Sequence, residues 1–245
     1  MKNRGITIII PISFNGPKLY PVISTLIFTI STKYQIIAVY DHDEDVSHTT
    51  LDRIICSNNN VTKLKNKYGK DPITAVRTGL DSAKYEYVIV WMSYHLDPEG
   101  KLNKMIEIMN SGVNLVSANR FSSRYSHGRG SKLKLIMSKY GNFILKIITK
   151  SKLSDFTTSI KIFRTEDLKK FNKKINFDYP GWSVITFWTL QLLNEEMKYE
   201  EVDFGENNLQ FIFGKSNFNI FKSIRGYINC ITFAFSIRMK SKKLS

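Results

Sequence analysis

The chain has 245 residues and a mass of 28.4 kDa, a length suited to one large α/β domain. Its 42% hydrophobic and 13% aromatic content excludes wholesale disorder, and thirteen Gly and six Pro exclude a collagen-like or low-complexity chain. The two cysteines, Cys56 and Cys230, exclude a disulfide scaffold and a zinc ribbon and fit a reducing compartment, while Lys+Arg 36 against Asp+Glu 21 leaves +15 and a pI near 9.7.

That charge points to a polyanionic partner: nucleic acid, an anionic membrane face or a phosphorylated substrate. A lineage that simply uses Lys heavily would show the same balance.

Residues 6–10 form a continuous β-branched run, the pattern of a parallel strand buried on both faces. The run is short, ends at Pro11 and precedes no small-residue cleavage site, so it reads as a strand and not as a signal peptide. Residues 13–17 (SFNGP) are a loop, and Leu19, Val22, Ile23, Leu26 and Ile27 then fall at helical spacing. A second buried strand, 34–40, runs directly into an acidic cluster at 41–45. A short helix at 50–55, a strand at 61–65, a helix at 73–83 and a strand at 87–92 follow. Beyond these come a helix at 102–109 and a strand at 114–118. The alternation predicts βαβ units: a mostly parallel central sheet flanked by helices. Ligands of such sheets sit beyond the carboxyl ends of the strands, so the loops at 13–17, 41–45, 93–99 and 119–130 are the candidates.

The second half is less regular. Residues 133–150 read as a helix with Ile136, Tyr140, Phe143, Ile144 and Ile147 on one face and lysines beside it. A strand at 160–163, a helix at 183–193 and one or two strands within 202–213 follow. Residues 221–237 are apolar and 238–243 strongly basic. No repeat and no Gly-, Pro- or Ser-rich linker divides the chain.

The acidic cluster Asp41-His42-Asp43-Glu44-Asp45 is the most informative local feature. Carboxylates just past a buried strand accept hydrogen bonds from a ribose or base, or hold a hard cation; a solvated acidic turn has the same composition. The four histidines, His42, His48, His95 and His127, are not spaced as metal ligands on one helix face. There is no nucleophile elbow, P-loop or dinucleotide fingerprint.

Several segments, in order, resemble glycosyltransferase family 2, in its dolichol-phosphate mannose synthase-like branch. ITIIIPISFNG is similar to the opening strand and nucleotide loop, and IIAVYDHDED to the second strand with its acidic end. NKYGKDPITAVRTGL resembles the segment with Asn, Gly and an Ala-x-Arg-x-Gly helix. YVIVWMSYHLDPE stands at the metal-binding strand end. SANRF, LSDFTTSIKIFR and GKSNF resemble three later elements. The similarity spans residues 5–220, with 221–245 as an apolar and basic tail.

The resemblance implies a nucleotide-sugar-binding, GT-A-like fold. It implies transfer, with inversion, of a sugar from a nucleoside diphosphate sugar to a lipid-phosphate acceptor such as a polyprenyl phosphate, or to a glycan. On it, Asp41 matches a nucleotide-binding aspartate, with Pro11, Ser13, Asn15, Asp43 and Ser93 around the nucleotide. Arg120 matches a phosphate-contacting arginine and, with Asp97, a catalytic position. Lys134, Ser138 and Lys215 complete the phosphate side. A divalent cation, Mg²⁺ or Mn²⁺, is implied, with Asp97 as its weak ligand. The sequence departs from the family where paired carboxylates are expected: Trp91-Met92-Ser93-Tyr94-His95 supplies none, and Asp97 and Glu99 are the nearest acids. Phe211 stands where relatives carry an arginine, and Asn15-Gly16 where they carry an asparagine–acid pair. A catalytically degenerate nucleotide-sugar-binding protein on the same fold is therefore the alternative. No signature of a nucleic-acid-binding module accompanies the charge. No run reaches the roughly 18–20 apolar residues of a membrane span. The basic helix and tail instead fit peripheral attachment at the cytoplasmic face of an anionic membrane, or an ordinary core-facing helix with a solvated basic side.

Overall fold

The computed structural model describes residues 3–97, 100–121, 132–175, 181–204 and 220–244. Among the described residues seven strands form one sheet: β1 (Ile6–Ile12), β2 (Tyr34–Tyr40), β3 (Val61–Lys65), β4 (Tyr87–Val90), β5 (Leu115–Asn119), β6 (Lys161–Arg164) and β7 (Tyr199–Asp203), in the order β3-β2-β1-β4-β6-β5-β7. Only β6 runs against its neighbours β4 and β5; every other pairing is parallel. The β-branched run of β1 lies at the centre, and Ile6, Ile8, Ile9 and Ile10 are fully buried, as a strand covered on both faces requires.

The helices are α1 (Leu19–Thr29), α2 (Ser47–Ser57), α3 (Pro72–Asp81), α4 (Lys101–Asn110), α5 (Lys132–Thr149), α6 (Thr165–Lys173), α7 (Ser183–Asn194) and α8 (Ile220–Leu244). Two apolar layers sandwich the sheet. One joins α1, α2 and α4 to one face; the other joins α3, α6, α7 and parts of α5 and α8 to the opposite face. Among the described residues, no helix is long and apolar enough to cross a membrane.

The structure moves some expected boundaries. The short helix at 50–55 is the longer α2, and the late strand is 199–203. Residues 205–213, expected to hold further strand, lie outside the described residues. α6 escaped the periodicity reading because Leu168 and Phe171 are its only apolar buried residues, although Glu166 and Asp167 in its first turn and Lys170 and Lys173 in its last complement the helix dipole. The apolar tail is helical, and Cys230 and Ala234 bury one side of α8 with α7 in the core.

Candidate nucleotide and phosphate site

Parallel strands deliver the ends of β1, β2, β3, β4 and β5 to one edge of the sheet. Because β6 is antiparallel, the loop before it arrives at that same edge. Two clusters form there, with residues 91–97 placed between them by the strand order.

The first cluster lies past β1 and β2. Asn15 Oδ1 accepts the Ser13 amide at 3.0 Å. Phe14 has a left-handed backbone (φ 49°), held because its amide donates to Asp45 Oδ2 at 2.7 Å. Asp45 Oδ1 also accepts the Ser47 amide, and Ser47 Oγ accepts that of Gly16 at 2.9 Å. Burial alone would raise the Asp45 carboxyl, yet its hydrogen bonds to Ser47 and Phe14 hold it below its ordinary value. Asp45 is thus the clasp between the two loops. Asp41 Oδ1 accepts from Asn66 Nδ2 at 2.8 Å, and Asn66 also donates to Thr74 Oγ1 at 2.9 Å, in the first turn of α3. Asp43 is exposed and paired with Lys65. Pro11 lies in β1 opposite Val39. The exposed Phe14 ring stands 5.3 Å from that of His42.

The stretch after β4 is closed on itself. Trp91 is fully buried, and its Nε1 donates to the His95 carbonyl at 2.9 Å. Ser93 is buried. Burial, and then the nearby Arg120 charge, push His95 down to about 3, so its ring is neutral. Asp97 is buried, and its two carboxylate oxygens accept the amides of Lys101 (2.8 Å) and Leu102 (2.9 Å), capping α4. Among the described residues no three His, Cys, Asp or Glu converge on a point where a cation would sit. Among the described residues, the stretch after β4 thus presents Trp91 and the neutral His95 ring where the family resemblance implied oxygen ligands for a divalent cation.

The second cluster is centred on Asp155, which is fully buried. Arg120 Nε donates to Asp155 Oδ2 at 2.7 Å and Nη2 to Oδ1 at 2.9 Å, a bidentate pair; Nη2 also reaches Thr157 Oγ1 at 2.8 Å. The Arg120 side chain is 30% exposed. From α5, Ser138 Oγ lies 2.9 Å from Thr157 Oγ1, and Asn142 donates to it at 3.1 Å. Lys161 is buried beneath, its Nζ donating to the carbonyls of Asp155, Phe156 and Thr158. Glu201 of β7 accepts the Ser154 and Asp155 amides. Burial alone would raise Asp155, but the Arg120 guanidinium outweighs it and holds the carboxyl below its ordinary value.

Of the residues expected from sequence, Pro11, Ser13, Asn15, Asp41 and Asp43 gather in the first cluster, Arg120 and Ser138 in the second, and Ser93 and Asp97 between. Lys134 is in the first turn of α5; its side chain, Glu99 and Lys215 lie outside the described residues. Sequence reading placed Asp45 in the acidic cluster and Asn66 and Asp155 in the family-like segments without giving them roles in the site, and did not single out Asn142. Asp155, Thr157 and Lys161 lie within LSDFTTSIKIFR, one of the segments on which the family resemblance rests.

The glycosyl transferase family 2 profile matches residues 7–171. No curated protein matches the sequence. Among solved structures, glucosyl-3-phosphoglycerate synthase from Mycobacterium tuberculosis, seen with Mn²⁺, uridine diphosphate and phosphoglyceric acid, superposes with a TM-score of 0.66 at 12% identity, covering 96% of this chain and 78% of that one. TarS of S. aureus superposes with a TM-score of 0.59 at 14% identity, covering 83% of this chain and 58% of that one. At such identities the likeness concerns the fold, which is that of GT-A glycosyltransferases. With two thirds of its length inside the matched region and both clusters on the strand edge where that fold binds its ligands, the chain belongs to glycosyl transferase family 2.

Proposed function

We propose that the chain transfers a sugar from a nucleoside diphosphate sugar to a phosphate-bearing acceptor, a polyprenyl phosphate, with inversion. The observation that carries this reading is the placement on one sheet edge of Asp41, oriented by Asn66, and of the partly exposed Arg120 side chain. A carboxylate at a strand end suits ribose or base hydroxyl and amide donors, and a planar guanidinium suits phosphate oxygens. The exposed Phe14 ring adds an apolar face against which a base can lie.

In an inverting displacement the acceptor oxygen attacks the anomeric carbon as the bond to the diphosphate breaks on the opposite side. Negative charge then grows on the departing diphosphate, where Arg120 offsets it. Ser138 stands beside that charge. Asp97 serves as a positioning residue that fixes α4 against the loop after β4. No step is routed through a cation, because the described donor set does not fit one.

Calorimetry with uridine diphosphate and other nucleoside diphosphates tests the binding half. Asp41→Ala should weaken the preferred nucleotide by about 1.5–3 kcal/mol, the range for a lost charge-assisted hydrogen bond. Unchanged affinity in a folded variant overturns the assignment. The buried Trp91 at the strand end favours a second reading, a nucleotide-sugar binder without turnover. Tight binding combined with no sugar transfer to polyprenyl phosphate, and no hydrolysis, would select it.

A further inference from the structure

The outer faces of α5 and α8 are apolar and exposed. On α5, Ile136, Met137, Tyr140, Phe143, Ile144 and Ile147 recur at helical spacing and face solvent, with Tyr140 65% and Phe143 and Ile147 each 60% exposed. The opposite side of α5 does the packing, through Asn142, Leu145 and Ile148. On α8, Ile224, Ile228, Phe235 and Met239 are exposed, while Cys230 and Ala234 are buried. The two helices pack on each other. A core-facing stripe would be covered; this one is not, and contiguous apolar surface of this kind marks an interaction face.

The charge around it selects the occupant. The sequence has no Asp or Glu between 132 and 150 or between 220 and 245. Lys132, Lys134, Lys139, Lys146 and Lys150 fall in or just after α5, and Arg225, Arg238 and Lys240 in α8. A second copy of this chain would set these cations against their own kind. A nucleic acid needs cations across its footprint, whereas this strip is made of Ile, Met, Tyr and Phe side chains. Apolar side chains bordered by Lys and Arg match an anionic bilayer, whose acyl boundary takes the former and whose headgroups take the latter.

We propose that α5 and α8 form a membrane-interface face that docks the protein on anionic lipid. Its inward side is the second cluster: Ser138 and Asn142 reach Thr157 from the same helix that presents Phe143 and Ile147 outward. Docking would therefore bring the Arg120–Asp155 pair close to the lipid surface. The inference stands on exposure and charge, and does not depend on the chemistry proposed above.

Flotation of the full chain with vesicles tests it. The protein should float with phosphatidylglycerol/phosphatidylcholine vesicles, not with pure phosphatidylcholine, and less at high salt. The double variant Phe143→Ser, Ile147→Ser removes only exposed side chains; its melting temperature should be retained and its partition weakened at least about tenfold, a change of about 1.4 kcal/mol. Lys146→Glu with Lys150→Glu should weaken binding to the anionic vesicles in the same direction. Wild-type protein that does not float, or variants that float equally, overturn the proposal. So does self-association in sedimentation that the apolar double variant abolishes while no vesicle binds, which assigns the face to a second copy. Uridine diphosphate calorimetry on the same samples reads the nucleotide site separately. Vesicle binding without nucleotide binding supports this inference and removes the other.

Discussion

Asp155 is the residue on which the Arg120 cluster depends. It is fully buried, and its carboxylate accepts from the Arg120 fork and backbone amide, the Thr157 amide and hydroxyl, the Thr158 amide and the Asn142 side chain. Asp155→Asn keeps the shape and removes the charge, leaving Arg120 and Lys161 without their counter-ion. Because Arg120 is partly solvated, the loss should sit at the low end of the range for a broken buried pair, about 3 kcal/mol in urea unfolding. The sign of the pH dependence follows from the direction of the shift. The folded carboxyl lies below its ordinary value of 3.8. Its stabilisation is therefore fully present above that value and is lost as pH falls through the lower, folded one. The gap between wild type and variant should narrow as pH falls below about 4. A gap that persists undiminished to low pH would show that Asp155 acts through shape and not through charge.

Among the elements, α3 shows how a helix is held at the distance the site needs. Asp71 and Thr74 form a capping box, and Pro72 opens the first turn. Thr74 then receives Asn66, which orients Asp41. Helix and strand approach closely because residue 79 is a glycine: a Cβ there would lie 2.6 Å from Ile9 Cγ2, at the centre of the sheet. Gly79→Ala gains helix propensity of about 1 kcal/mol. Overpacking against a central strand, about 1–3 kcal/mol, outweighs that gain. The variant should melt lower than wild type and bind nucleotide more weakly, since α3 must move away from β1 and carry Thr74 with it. A higher melting temperature would mean that Ile9 repacks without displacing the helix.

At the scale of the whole molecule, the last helix belongs to the fold as well as to a candidate membrane face. Cys230 packs under Ser183, and Phe233 lies 5.5 Å from Phe187 of α7. Burial pushes the Cys230 thiol up, as expected of a cysteine enclosed in apolar surroundings. A chain ending at residue 219 would uncover α7, whose residues from Ser183 to Leu192 are all buried. It should lose several kcal/mol of the roughly 5–15 kcal/mol that a domain of ordinary stability has, and should aggregate or melt far below the full chain in calorimetry. A truncated protein with unchanged melting temperature would make α8 an appendage. The membrane test above uses surface substitutions for this reason, since removing the helix would confuse lost docking with lost folding.

The alternation of buried β-branched runs and helical stripes was enough to read the parallel sheet and the strand ends that carry the site, because periodicity and burial are local properties of a strand or helix. Asp41 was legible for the same reason, standing directly past a run that had to be buried. Arg120 and Asp97 were legible as residues of the site region, but not in their partnerships. Only the antiparallel return of β6 sets Asp155 against Arg120, 35 residues away in the chain, and only the entry geometry of α4 turns Asp97 into its cap. The direction of the α5 stripe was likewise outside the reach of sequence. An apolar stripe beside lysines has the same periodicity whether it faces a core or a lipid surface. The choice fell to Asn142, Leu145 and Ile148, which the tertiary packing buries, leaving the larger stripe outside. Hydrophobic periodicity thus specifies which residues share a face, and the arrangement of the other elements decides what that face meets.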